Sequence, residues 1–306
     1  MTNISLTFQV GPHTFRIQNN SAINISETLP SLSPFILSTP TYEEPIFELC
    51  LADTPGILIS EDETTDICFD WEDARCIIRP QEGGIHLVAI TPRNSEKTYC
   101  MQCNDGFRHC TAYLPSDITT EVLSQRNSAE SFVLNNFLMM LYAFTAARHH
   151  TLLMHASVIA HNGKGYLFLG KSGTGKSTHT SLWLKYIPGC HLLNDDNPVV
   201  HVDINSKQAT VFGSPWSGKT PCYRNEYMTV GAFVRLEQAP QNSIAHQSSV
   251  HAFAALLPSC SCLKQDKDIY NDIIAAVTEL ATLAPVFHLK CLPDKAAAEL
   301  CLNTVR

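Results

Sequence analysis

The sequence predicts an α/β protein in which a P-loop α/β domain over residues 151–306 follows a β-rich N-terminal region over residues 1–127, with a connecting helix over 128–150. Three observations predict this. Short apolar runs alternating with polar residues fill the first part. One longer apolar stretch, FVLNNFLMMLYAFTAA at 132–147, follows them. Beyond it, LFLGKSGTGKSTHTSLWLKY at 167–186 reads as a strand, a glycine-rich loop and a helix in immediate succession.

Taken in order, SLTFQV, TFRIQ, IFELCLA, GILIS, DICFDW, ARCIIRP, GIHLVAI and TAYLP each carry strand character. Gly11-Pro12, Thr54-Pro55-Gly56 and Gly83-Gly84 punctuate them as turns, and the pattern predicts an antiparallel β region without a catalytic motif. Asp62 and Glu63 read as a solvated turn. Ser128 has the chemistry of a helix N-cap, and the helix it opens runs to about His150. TLLMHASVIA and GYLFLG then predict two strands around an Asn162-Gly163 turn. The next helix starts at Lys176 and stops near Tyr186, ahead of Pro188-Gly189. HLLN is the following strand, VVHVDI and QATVF form a hairpin around Asn205-Ser206-Lys207, and TVGAFVRL is another strand. Helices near 249–257 and 267–283, a strand PVFHLKC and a helix from Asp294 complete the reading.

Composition narrows the function classes. With 44% hydrophobic and 16% charged residues, the chain has the make-up of a globular protein with a sizeable core. A formal charge of −8 argues against general affinity for nucleic acid, whose phosphates it repels. The opening MTNISLTFQV lacks a basic segment and a continuous apolar core, so no secretory signal is expected and a cytoplasmic location is. The 132–147 stretch is too short and too interrupted by Asn135 and Asn136 to span a bilayer. Twelve cysteines raise the question of zinc, and Cys100, Cys103, His109 and Cys110 fall close together. Their spacing, C-x2-C-x5-H-C, lacks a second separated pair, and strand alternation turns Cys100 and Cys103 to opposite faces. Buried reduced thiols are the expectation.

The chemistry concentrates after residue 150. Gly170, Gly175, Lys176 and Ser177 satisfy G-x-x-x-x-G-K-[ST] between a strand and a helix. In that setting Gly170, Ser172, Gly173, Thr174, Gly175, Lys176, Ser177 and Thr178 are expected to wrap the phosphates of ATP with backbone N–H groups. Lys176 would reach the β- and γ-phosphates, and Ser177 would ligate Mg²⁺. Asp195 and Asp196 end the very next strand, beside the loop if that strand is its neighbour in a parallel sheet. One carboxylate then serves the metal, with Asp195 the assigned ligand, and the other accepts the proton of an attacking hydroxyl. GSPWSGK at 213–219 supplies a loop that closes over the phosphates, with Lys219 neutralising transferred charge. Arg224 is the next cation, with a substrate contact and a surface ion pair as equal readings.

HAS(V/I) ahead of the strand, GKSGTGKST in the loop and LLNDD after the helix together resemble the HPr kinase/phosphorylase C-terminal domain, whose fold is related to the nucleotide domain of phosphoenolpyruvate carboxykinases. The resemblance covers roughly residues 150–300. It implies Mg²⁺-ATP on Gly170–Thr178, a catalytic aspartate at Asp195 or Asp196, an active-site histidine at His155, and a homo-oligomer. Where the family loop carries Glu after the serine of its GKS, this chain has Thr178, and GSPWSGKTPCYRN stands in place of the bifunctional enzymes' glycine- and arginine-rich region. The pattern is therefore similar to divergent HPr-kinase-like proteins, some of which phosphorylate free serine or other hydroxyls. The expected activity is transfer of the ATP γ-phosphoryl group to a hydroxyl of a protein or small molecule. A carboxykinase-like transferase and a nucleotide-binding accessory protein without turnover are the alternatives.

Overall fold

The computed structural model describes residues 4–21, 23–39, 41, 43–52, 66–71, 73–93, 95, 97–113, 128–218 and 220–306. The chain divides into two units, one of residues 1–9 and 13–145, the other of residues 10–12 and 146–306. GILIS, Thr54-Pro55-Gly56, Asp62, Glu63 and Lys219 lie outside the described residues.

In the first unit, alternation sorts side chains to the two faces of one sheet. Its strands are β1 (Ile4–Val10), β2 (His13–Asn20), β3 (Glu48–Ala52), β4 (Ile67–Asp70), β5 (Ala74–Pro80), β6 (His86–Pro92), β7 (Tyr99–Asn104) and β8 (His109–Tyr113). Among the described residues they line up as β1-β2-β3-β8-β7-β6-β5-β4. β4 to β8 form an antiparallel meander, but β3 pairs in parallel with both β2 and β8. The region is therefore mixed, where the sequence predicted antiparallel pairing throughout. Helical turns at Ile25–Thr28 and Pro30–Phe35 separate β2 from β3. A connection of that length carries the chain back for parallel pairing, which a hairpin does not. Alternation determines faces, not partners.

The helix of this unit spans Ala129–Ala146, with the Ser128 hydroxyl accepting from the Ser131 N–H at 3.1 Å. It gives way to a 3-10 turn at Ala147–His149 and a left-handed His150, so the α-helix ends short of the expected 150. Tyr99 Oη donates to Glu130 Oε1 at 2.6 Å, and Phe144 meets Phe107 edge-on at 5.2 Å. Cys103 and Cys110 oppose one another across β7 and β8, both buried.

The second unit holds β9 (Thr151–Leu153), β10 (Ala156–His161), β11 (Lys164–Leu169), β12 (His191–Asp196), β13 (Val199–Asp203), β14 (Gln208–Phe212), β15 (Tyr227–Gln238), β16 (Ser243–His246) and β17 (Val286–Cys291). The order is β12-β10-β11-β15-β14-β13-β9, with β17 on β15 and β16 on β17. β11, β15 and β17 run in parallel. β11 is buried from Gly165 to Leu169, as expected for a strand covered on both faces. On one face the helices Lys176–Tyr186 and Lys295–Val305 close a core in which Trp183 packs on Tyr166 and Phe168. Full burial of a side chain this large contributes roughly 3 kcal/mol. The helix Lys267–Leu283 packs on β9, β13 and β14, its N-terminus capped by Asp266.

β12 is not the neighbour of β11. The Asn162-Gly163 turn, with both residues at positive φ, folds β10 against β11 as a hairpin, and β12 adds to the far edge of β10. Both β11 and β12 are antiparallel to β10, so their carboxyl ends still emerge at the same edge of the sheet. No helix among the described residues is long and apolar enough to cross a membrane.

Candidate active site

The carboxyl end of β11 delivers the chain into the glycine-rich loop, and Gly175, at φ 104, turns it into the helix that begins at Lys176. A residue with a Cβ rarely adopts that backbone conformation, which explains why the motif needs glycine there. Thr174 folds back on the loop, its N–H and hydroxyl both donating to the Lys171 carbonyl at 3.1 and 2.7 Å. Ser172, Gly173, Gly175 and Thr178 line a cavity of about 450 Å³ together with His155, Ser157, Lys176, Ser177, Asp195 and Asp196. Of the residues singled out from sequence, His155, the loop and the two aspartates are thus brought together.

Lys176 is buried and donates to the Gly170 carbonyl at 2.9 Å and to His155 Nε2 at 2.8 Å. Burial pushes its pKa down, opposed by the negative charges of Asp196 and Asp195. An ammonium only donates, so His155 Nε2 accepts and the neutral ring carries its proton on Nδ1. That nitrogen lies 2.8 Å from Asp196 Oδ1, completing a relay from Lys176 through His155 to Asp196. His155 is held at the break between β9 and β10, where its backbone N–H donates to the Ser259 carbonyl at 2.6 Å.

Asp195 is buried at 4% exposure, yet its carboxylate is well provided for. Ser157 Oγ donates to Oδ1 at 2.6 Å, and Ser177 Oγ stands 3.4 Å from the same oxygen. Register accounts for the first contact, because Ser157 on β10 is the direct cross-strand partner of Asp195 on β12. Ser177 and Asp195 offer two hard oxygen donors on one wall of the cavity, the chemistry Mg²⁺ selects. Asp196 sits at φ 117, a region that costs a non-glycine residue of order 1–3 kcal/mol. Asn197 Nδ2 donates to its Oδ2 at 2.9 Å.

The 213–218 segment does not stand open over the loop. Trp216 is 1% exposed and Ser214 is buried, and Asn194 Nδ2 donates to Ser214 Oγ at 3.1 Å and to the Trp216 carbonyl at 3.2 Å. Ser217 Oγ and the Gly218 N–H donate to the Asp195 carbonyl at 3.0 and 2.5 Å. A Cβ on Gly218 would stand 3.0 Å from the Asp196 Cβ, so a larger residue here requires Asp196 to shift by a few tenths of an ångström. The burial of Trp216 seats the segment as a clamp on the end of β12 rather than as a flap. Arg224 pairs with Glu226 at 3.2 Å on the surface.

Four contributors were missed from sequence. Ser157 had a signal, being the third residue of the H-A-S triplet. Asn194 precedes the aspartate pair, but nothing in its spacing says that it anchors 213–218. Ser217, through its hydroxyl, and Gly218, through its N–H, both bind the Asp195 backbone carbonyl, a pairing across 22 or more residues that no local spacing encodes.

No protein-family model matches the chain, and no curated protein matches it. Among solved structures, the HPr(Ser) kinase/phosphatase from Coxiella burnetii is similar at 13% identity, covering 49% of this chain and 94% of that one, with a TM-score of 0.28.

Proposed function

We propose that this chain is an ATP- and Mg²⁺-dependent phosphotransferase of the HPr serine kinase type, which moves the γ-phosphoryl group to a serine or other hydroxyl of a protein or small molecule. The observation that carries the reading is the convergence of the glycine-rich loop, the Lys176–His155–Asp196 relay and the Ser157–Asp195–Ser177 cluster on one cavity. Each group has a role the arrangement supports. Backbone N–H groups of the loop and the helix N-terminus receive phosphate oxygens. Lys176, at present spent on Gly170 and His155, exchanges these partners for phosphate. Ser177 and Asp195 would hold Mg²⁺, which when bound would neutralise charge on the phosphates. Ser157 holds Asp195 Oδ1 in place. Asp196, half-exposed at the cavity, accepts the proton of the incoming hydroxyl, with His155 orienting its carboxylate.

The test is incubation of the purified chain with Mg²⁺ and γ-labelled ATP, with free serine in one sample and desalted cell extract in another. Label on phosphoserine or on an extract protein supports the reading and identifies the acceptor class. Label that stays on ATP in both samples, with ATP binding intact, contradicts it in favour of a binding protein without turnover.

A further inference from the structure

A second cavity, of about 620 Å³, lies against the same glycine-rich loop. That volume falls within the range of small-molecule sites, about 300–1,000 Å³. Gly175 and Thr178 line both cavities. The two open toward opposite sides of β11. The carboxylate cavity is reached through β10 to the end of β12, whereas the second is walled by the ends of β15 and β17. Its lining is mostly apolar, with Leu182 and Leu236 at the bottom and Pro240 and Leu292 at the rim, and it includes no Lys, Arg, Asp or Glu.

The walls are built rather than incidental. The Ala239 N–H donates to the Cys291 carbonyl at 3.2 Å, joining the two strand ends. The Asn242 side chain accepts from the Leu292 N–H at 2.7 Å and donates to Asp294 Oδ1 at 3.0 Å, which holds the rim. Gln238 Nε2 reaches the Gly173 carbonyl at 3.2 Å and ties this wall to the loop. Burial pushes His179, also in the lining, down to about 4, so it adds no charge near neutral pH.

A nucleotide whose phosphates lie on the loop must send its nucleoside to one side of β11. Toward β12 it meets two carboxylates and the groups that hold them. Toward β15 and β17 it meets two spaces against the loop: one of about 450 Å³ whose lining includes the charged Lys171, Arg235 and Glu237, and the larger cleft without a Lys, Arg, Asp or Glu, which matches an uncharged heterocycle. We infer that the second cavity receives the nucleobase of the nucleoside triphosphate, as an uncharged planar heterocycle between the Leu182–Leu236 floor and the Pro240–Leu292 rim. This rests on the phosphate-binding reading of the loop and adds to it the side on which the nucleoside lies.

Calorimetric titration with Mg²⁺-ATP and with Mg²⁺-tripolyphosphate, which lacks a nucleoside, separates the two claims. Wild type is expected to bind ATP at least about tenfold more tightly than tripolyphosphate, the gap that burial of a heterocycle provides. Ala239→Trp, which fills the cleft, should close that gap while tripolyphosphate affinity stays within about twofold. Leu292→Ala, at a partly exposed rim position that folding tolerates, should narrow it. Equal binding of ATP and tripolyphosphate by wild type, or a gap unchanged in both variants, overturns the base site and leaves the phosphate loop standing. Failure of wild type to bind either ligand overturns both.

Discussion

Ser157 and Asp196 carry the most specific expectations at the scale of single residues. Ser157→Ala removes the 2.6 Å hydrogen bond that holds Asp195 Oδ1. A bond to a carboxylate contributes about 1.5–3 kcal/mol, so kcat should fall roughly tenfold or more while the affinity for ATP changes little. Steady-state kinetics beside calorimetric binding checks the split. Lys176→Ala is the contrasting case, with loss of nucleotide affinity itself. Asp196 tests the backbone rather than the charge. At φ 117, Asp196→Gly relieves strain that Asp196→Ala keeps, while both lose the His155 contact. The glycine variant should therefore be more stable than the alanine variant by about 1 kcal/mol, although neither turns over. Denaturant melts of the pair that coincide would remove strain from the account. The loop residues and the aspartate pair were legible in sequence because their chemistry sits in a contiguous motif. The H-A-S triplet marks the position of Ser157, but its role of holding Asp195 comes from the β10–β12 register, which the triplet does not encode.

The helix Lys176–Tyr186 contributes a pH dependence of its own. It buries His179, whose Nε2 accepts from Trp183 Nε1 at 3.1 Å, and burial lowers the imidazole from 6.5 to about 4. Between those values the unfolded chain binds the proton that the folded chain excludes. Stability contributed here is complete above pH 6.5 and is lost as pH falls toward 4, by roughly 3 kcal/mol. His179→Leu should flatten that part of the stability profile in urea melts from pH 7 to pH 4; an unaltered slope would place the titration elsewhere. At this scale most elements after residue 150 follow from periodicity, because β11 is a continuous apolar run and the glycines and prolines mark its neighbours. Partners did not follow. Whether β12 adds to β11 or to β10 depends on which edge the Asn162-Gly163 hairpin leaves free, and the parallel pairing of β3 depends on a crossover that alternation does not encode. The Gly218-Lys219 pair suggests a loop that closes over the phosphates, whereas the Trp216 ring beside it is buried in the core.

For the whole molecule, ligand linkage gives the simplest expectation. At a Mg²⁺-ATP concentration of one hundred times Kd, the folded state gains about 2.7 kcal/mol, visible as a higher melting temperature. Tripolyphosphate at its own hundredfold excess should give a similar shift in wild type and none in Lys176→Ala. The central claim, however, is phosphoryl transfer, and its most direct measurement is the fate of the label from γ-labelled ATP in wild type and in Asp195→Asn and Asp196→Asn, with ATP binding measured on the same samples. Wild type should transfer label to free serine or to an extract protein, and both variants should retain ATP binding better than they retain transfer. Full transfer by both aspartate variants would contradict the assigned roles, and label remaining on bound ATP in wild type would contradict the kinase itself.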